Sequence, residues 1–470
     1  MKRTTTQRRM AVAAGVAAAA LVLAACGNGN GDGGETDGEA QELTFWTPHN
    51  TPERMSVQQE VADSFEAETG ISVNVVGMDA PDMNQSIVAG AAAGDMPDVA
   101  LVGPDQVSSW TSQGLLDESV AQAAIDNLDP STFSEQAMDL VSIDGELAAV
   151  PSDGWGELLF YRTDVFEDLG LDAPESVQDV VEAAQTISDS DAGMTGIVLG
   201  TQPANAMAHE NLEHFGLANG CQMFEGDEVA LESDACVQTL TDIQDMADAS
   251  VAGDQDVEST RAAYLAGDAA MVVWSPHLLD EIAGLEPNFP VSADGVGDDP
   301  QFLSQNTGIV GGLTGVANND PTGFGLTMNL AVMQGANAEA AQQYVEYLLS
   351  EGYVDTLAMT PEGRAPVRTG TPENPEEYVD AWSELEIGVE DDNMLPFAEA
   401  YSDEAVEQVV AAANLFTRWG FGTENWATAG DAVTQTTLVN EYNTLIGGGD
   451  PADYAAHIAD EVRTLQQENQ

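Results

Sequence analysis

Lysine is almost absent. Lys2 is the only one in 470 residues, and 11 basic side chains face 81 acidic ones for a formal charge of −70. A field of that sign repels phosphate backbones and anionic lipid headgroups, which argues against nucleic acid as a partner. Cysteine is scarce, at three, and the two beyond the N-terminal region make a poor metal site. No apolar run after residue 25 reaches membrane-spanning length, so the body of the chain is expected to be soluble. Catalytic spacings are missing too. In His209-Glu210-Asn211-Leu212-Glu213-His214 the histidines stand at i and i+5, roughly 140° apart on a helix, where a zinc protease needs i and i+4 on one face. That stretch reads as a surface helix. No Gly-x-Ser-x-Gly elbow occurs, and Gly311, Gly312, Gly315, Gly323 and Gly325 match neither a phosphate loop nor a dinucleotide fingerprint. Among 81 acids, no carboxylate pair for glycoside hydrolysis stands out. The expectation is a chain that is not an enzyme, with no metal and no cofactor.

What is present starts at the N-terminus. Lys2, Arg3, Arg8 and Arg9 precede an apolar run from Met10 to Ala25, closed by Leu23-Ala24-Ala25-Cys26. A basic start, a short apolar stretch and small residues before the cut form a secretory signal. The cysteine directly after Leu-Ala-Ala makes it resemble a bacterial lipoprotein signal. Residues 1–25 are then expected to be removed, and Cys26 to carry the diacylglycerol that anchors the chain to the outer face of the cell membrane. Loss of the four basic residues of the signal leaves seven arginines against 81 acids, a charge of −74. The acids are dispersed and apolar residues make up 43%, as in a folded protein with an acid-coated, halotolerant-type surface. In an oxidising compartment Cys221 and Cys236 are expected to form a disulfide around a turn at Phe224-Glu225-Gly226-Asp227-Glu228.

Residues 26–41, rich in Gly, Asn and Asp, read as a flexible tether. Strands and helices alternate beyond it. Residues 42–47, 71–76 and 97–102 are strand-like, and residues 52–68, 83–93 and 107–113 have helical spacing. Further strands are expected at 158–161, 196–200, 269–274 and 325–333, with helices over 176–188 and 338–350. Residues 402–470 read as mostly helical with a break at Gly447-Gly448-Gly449. The alternation predicts an α/β protein with a parallel sheet, and the length predicts two lobes. Trp46, Trp155, Tyr161 and Trp274 fall at the ends of expected strands, where open α/β sheets place ligands. Aromatic faces there suit the apolar faces of sugar rings.

Taken in order, several segments resemble the extracellular solute-binding proteins of ABC transporters, in the family that includes maltose-type sugar binders. They are Phe45-Trp46-Thr47, Gly94-Asp95-Met96-Pro97-Asp98-Val99 with Trp110 to Leu116, Val150-Pro151 with Leu159 to Phe166, and Gly170-Leu171 with Pro174. Ala266 to Met271 follows, with Asp268 where the family has a basic residue, and then Gly363-Arg364-Ala365-Pro366-Val367-Arg368. The resemblance implies a two-lobed, periplasmic-binding-protein-like fold (type II) with a ligand cleft between the lobes. Lobe 1 would hold 42–152 and 326–366, and lobe 2 would hold 153–318 and 372–470. It implies closure by hinge motion around a solute, then docking on the permease subunits of an ABC importer. By position, the expected ligand-binding residues are Trp46, His49, Asp105, Trp155, Gln202, Asn205, Trp274, Ser275 and Arg368. Asp105 would accept from sugar hydroxyls and Arg368 would bond across the cleft.

The expected function is capture of a sugar or oligosaccharide by a monomer outside the membrane. A peptide or polyamine binder would share the architecture. A cationic ligand would require two or more acids among the cleft positions, where Asp105 alone qualifies. A secreted glycoside hydrolase would need two carboxylates about 5 to 10 Å apart there. The charge also predicts a lower melting temperature for the mature protein in dilute buffer than in molar salt, where screening is short-ranged. Thermal scans across a salt series check this, and an unchanged midpoint refutes it.

Overall fold

The computed structural model describes residues 41–469 apart from Asp95, Asp144, 294–298, Pro300 and 390–392. The signal, Cys26 and the tether up to residue 40 lie outside the described residues. Local chemistry sets the first elements. β1 (Glu42–Thr47) alternates its burial. α1 (Pro52–Thr69) starts where the Thr51 hydroxyl caps the Arg54 N–H, and stops at Gly70, whose φ of 77° suits glycine. β2 (Ser72–Gly77), α2 (Ala80–Ala93), β3 (Val99–Val102), α3 (Pro104–Ser112) and α4 (Glu118–Leu128) follow. All four residues of β3 are buried, as in a strand covered on both faces.

Two strands then run in succession, β4 (Val150–Gly156) and β5 (Leu158–Arg162), with Glu157 between them. The helices α5 (Val177–Ser188), α6 (Ala206–Asn219), α7 (Asp234–Asp248) and α8 (Val257–Ala266) lead to β6 (Met271–Trp274) and β7 (Thr307–Val310). The long strand β8 (Gly323–Val332) precedes α9 (Ala338–Leu348) and the short β9 (Ala365–Pro366). The last principal elements are α10 (Asp403–Leu415), β10 (Phe416–Thr417), α11 (Trp426–Thr434) and α12 (Pro451–Glu468).

The strands form two main sheets. One has the order β9-β4-β8-β3-β1-β2 with β10 beside β8; the other has the order β6-β5-β7. β1 runs parallel to β2 and β3, whereas β8 is antiparallel to both β3 and β4, so the large sheet is mixed and not wholly parallel. The second sheet is antiparallel throughout. The segment expected as a strand at 196–200 makes only isolated bridges, Ile197 to Ser250 and Val198 to Val272. The succession of β4 and β5 carries the chain from one sheet to the other. Helix α10 presses on that crossing, since a Cβ at Gly156 would lie 2.4 Å from the Ala412 carbonyl oxygen. On the far side, Cys221 and Cys236 are joined in a disulfide that links the end of α6 to α7.

Beyond the ends of β1 and β6 lies a buried polar seam. Arg364 donates to both carboxylate oxygens of Asp153 on β4, at 2.9 and 2.7 Å. Burial, then Arg364, Arg54 and His277, hold the His49 pKa at about 2. Burial and Arg54 outweigh Asp153 and hold His277 at about 4. Both imidazoles are therefore neutral at pH 7. Glu362 in the same seam is pushed up to about 8, by burial first and then by Asp280, against the pull of Arg54. A carboxyl raised on folding binds its proton more tightly in the native state, so its contribution falls as pH rises from the unfolded value toward 8. Glu362→Gln removes that loss. Urea unfolding should show the variant gaining on the parent between pH 6.5 and 8.5, by at most about 1.4 kcal/mol per pH unit. A constant gap across that window would mean that Glu362 does not carry this proton.

Candidate functional site

The site begins where β3 ends. The chain turns at Gly103 into α3, and the Gly103 N–H donates to Gln106 Oε1 at 3.2 Å, which fixes the first turn and Asp105 within it. Across from α3 stand α11 and the segment before it. Two cavities that share Asp105 and Phe421 open between them. The outer one, about 270 Å³, is lined also by Gln106, Ser109, Trp426 and Asp431. The inner one, about 160 Å³, is lined also by Ala206, His209, Glu210, Phe324, Leu326 and Arg418.

Arg418 organises the inner cavity. Its guanidinium lies 4.4 Å from the centre of the Phe324 ring and 4.7 Å from that of Phe421. Its Nε donates to Glu213 Oε1 at 3.0 Å, and the same oxygen accepts the Trp419 N–H at 2.7 Å. The other Glu213 oxygen is 3.1 Å from His209 Nε2. Burial alone would raise the Glu213 pKa, but Arg418, His209 and the Trp419 N–H outweigh it and hold the carboxyl below its usual range. The neighbouring acids behave in the opposite way. Burial raises Glu210 despite His209 and Arg418. Asp105 is open to the cavity yet crowded by protein on most sides, and this crowding raises it against N–H groups and Arg418. Glu157 is fully enclosed; burial and then Glu210 push it well above its usual value, and its Oε2 has no partner.

Helix α6 supplies much of this site and corrects one expectation. The stretch from His209 to His214 is not on the surface: His209, Asn211, Leu212, Glu213 and His214 are all buried. A helix this polar can be enclosed because most of its buried side chains find partners inside, although His209 Nδ1 and His214 Nε2 have none. Asn211 Oδ1 accepts the Gly200 N–H, and His214 Nδ1 accepts the Phe324 N–H. The two histidines do not converge on a metal. Among the described residues, no group of three or more His, Cys, Asp or Glu is placed to hold one.

Of the residues expected from sequence, Asp105 lies in the cavity. Asn205 caps α6, with its side chain accepting the Met207 N–H at 3.0 Å, one residue from the cavity-lining Ala206. Gln202 lies just before it, its N–H bound to the Gln255 carbonyl. Trp155 is half-buried beneath the inner cavity, its ring 6.1 Å from that of Phe324. His49 belongs to the polar seam, and Ser275 stands two residues before His277 of that seam.

The remaining three lie elsewhere. Trp46 packs half-buried beside β3. Trp274 is 8% exposed and its indole N–H reaches Thr260 at 3.3 Å, so it belongs to the core. Arg368 does not cross a cleft. It is buried among the carbonyls of Leu128 and Leu349 and the hydroxyl of Thr132, and it holds the chain after β9 to the end of α4. The cavity's aromatic surface comes from Phe324, Phe421 and Trp426, none of them anticipated. Their sequence signal was Phe416-Thr417-Arg418-Trp419-Gly420-Phe421, an arginine set among aromatics in a chain with few basic residues.

The same architecture recurs in known proteins. The sugar-binding protein MalE from Xanthomonas citri superimposes with a TM-score of 0.70 at 16% identity, over 91% of this chain and 98% of that one. A cyclic alpha-maltosyl-1,6-maltose binding protein from Arthrobacter globiformis gives 0.68 at 15% identity, over 92% and 100%. In sequence, a putative ABC transporter periplasmic-binding protein from Escherichia coli, YcjN, is 24% identical over 323 residues, 67% of this chain and 70% of that protein. Residues 60–386 match the family described as bacterial extracellular solute-binding protein, and this chain belongs to that family.

Proposed function

We propose that the protein captures a sugar or oligosaccharide outside the membrane and delivers it to the permease of an ABC importer, held meanwhile at the membrane surface by lipid on Cys26. The observation that carries this reading is the inner cavity itself. An arginine pinned by Glu213 lies between two phenylalanine rings and shares the cavity with His209, Glu210 and Asp105. Flat apolar rings beside oriented polar groups are what a pyranose needs, with its apolar faces and its rim of hydroxyls. The sugar-binding relatives of the same fold support the choice of solute. The family's extracellular placement agrees with a tethered life, and no helix among the described residues is long and apolar enough to cross a membrane. Cys26 after Leu-Ala-Ala supports the anchor.

Thermal unfolding against a panel of mono- and oligosaccharides tests the reading. A true ligand at 100 times its dissociation constant should stabilise by about 2.7 kcal/mol. Phe421→Ala should weaken that ligand by about tenfold, through loss of a ring face and of the stack on Arg418. A flat response to every sugar would sink the proposal.

A further inference from the structure

We propose that the solute carries a protonated amine, seated in the inner cavity against Asp105 and Glu210. This rests on the solute-capture reading above and narrows it to an amino sugar. The cavity has a surplus of acceptors. Arg418 is its cation, and Glu213 already matches that charge through the Nε bond at 3.0 Å. Asp105 and Glu210 both line the same space, and Glu157 lies close enough to Glu210 to feel its charge. Even with the His209 imidazole counted beside Arg418, the carboxylates Glu213, Glu210 and Asp105 are in excess, and no further cationic side chain lines the cavity among the described residues. The chain has no lysine beyond Lys2, and five of the remaining arginines are bound to carboxylates or carbonyls elsewhere, while Arg54 stands beside Glu362.

A second feature is independent of the acids. His209 is 2% exposed and lines the cavity. Glu213 can only accept, so His209 Nε2 donates to it. His209 Nδ1 is buried with no partner. In a neutral imidazole with Nε2 donating, that nitrogen is an acceptor which a ligand N–H would complete, and an ammonium offers three. Two carboxylates and an imidazole nitrogen around one cavity therefore specify a ligand group that donates and is positively charged.

Calorimetric titration of the mature protein tests the assignment with matched pairs: glucose and glucosamine, galactose and galactosamine, and cello-oligosaccharides with the corresponding glucosamine oligomers, plus spermidine. The expected result is that the amine member of a pair binds about tenfold more tightly than its neutral partner, a charge-assisted bond replacing a neutral one. That ratio should fall toward one in Glu210→Gln and Asp105→Asn. Added salt should weaken the amine member's binding to the unaltered protein more than its neutral partner's, a readout that survives even if a variant folds poorly. Equal or tighter binding of the neutral member overturns the amine assignment and leaves the saccharide reading intact. Binding of spermidine with no saccharide does the reverse. If none of these compounds binds, both readings fall.

Discussion

Glu213 is the carboxylate on which the inner cavity depends. Enclosing a carboxylate costs several kcal/mol unless donors replace its water. Here Arg418, the Trp419 N–H and His209 do so together. The consequence spreads outward. With its charge matched, α6 can be buried along most of its length, with Ala206 and Glu210 facing the cavity. With Nε committed, the guanidinium plane is fixed, and the rings of Phe324 and Phe421 hold it there. With Nε2 committed, the free nitrogen of His209 is settled as well. One buried bond set thus determines which faces of two side chains a ligand meets.

The two sheets meet in two chemically different ways. Along the seam, His49, His277, Arg54 and Glu362 are packed together and kept largely uncharged or paired. At the cavity, α3 and α11 touch each other and leave a space beside the contact, with Asp105 on one wall and Trp426 on the other. The chain crosses between the sheets at Glu157, a carboxyl enclosed by protein with one oxygen unsatisfied.

Much of the fold was legible because local chemistry and tertiary structure agree. The capped helix beginning at Ser176, the apolar run of β3 and the glycine stop at Gly70 are each decided within a few residues of chain. The antiparallel placing of β4 and β8 was not, since pairing partners lie far apart in sequence and an apolar strand reads alike in either direction. At the site, the position of Asp105 beside the cavity was legible because it follows directly on the end of the buried strand β3 at Gly103-Pro104. Arg418 and Glu210 were not, because only folding brings residues 105, 210 and 418 around one space. Trp274 misled for a physical reason: an indole at a strand end is equally at home in the core once its N–H finds Thr260.

The cavity walls come from distant parts of the chain, Asp105 after β3 and Arg418 after β10, and neither wall alone encloses the space. A solute bound there as proposed would touch both walls at once, and parting of the walls would ease its release. Its residence time would then depend on the frequency of that parting as well as on the strength of each contact. Substitutions far from the cavity that ease or hinder the parting would change the exchange rate while leaving every contact in place.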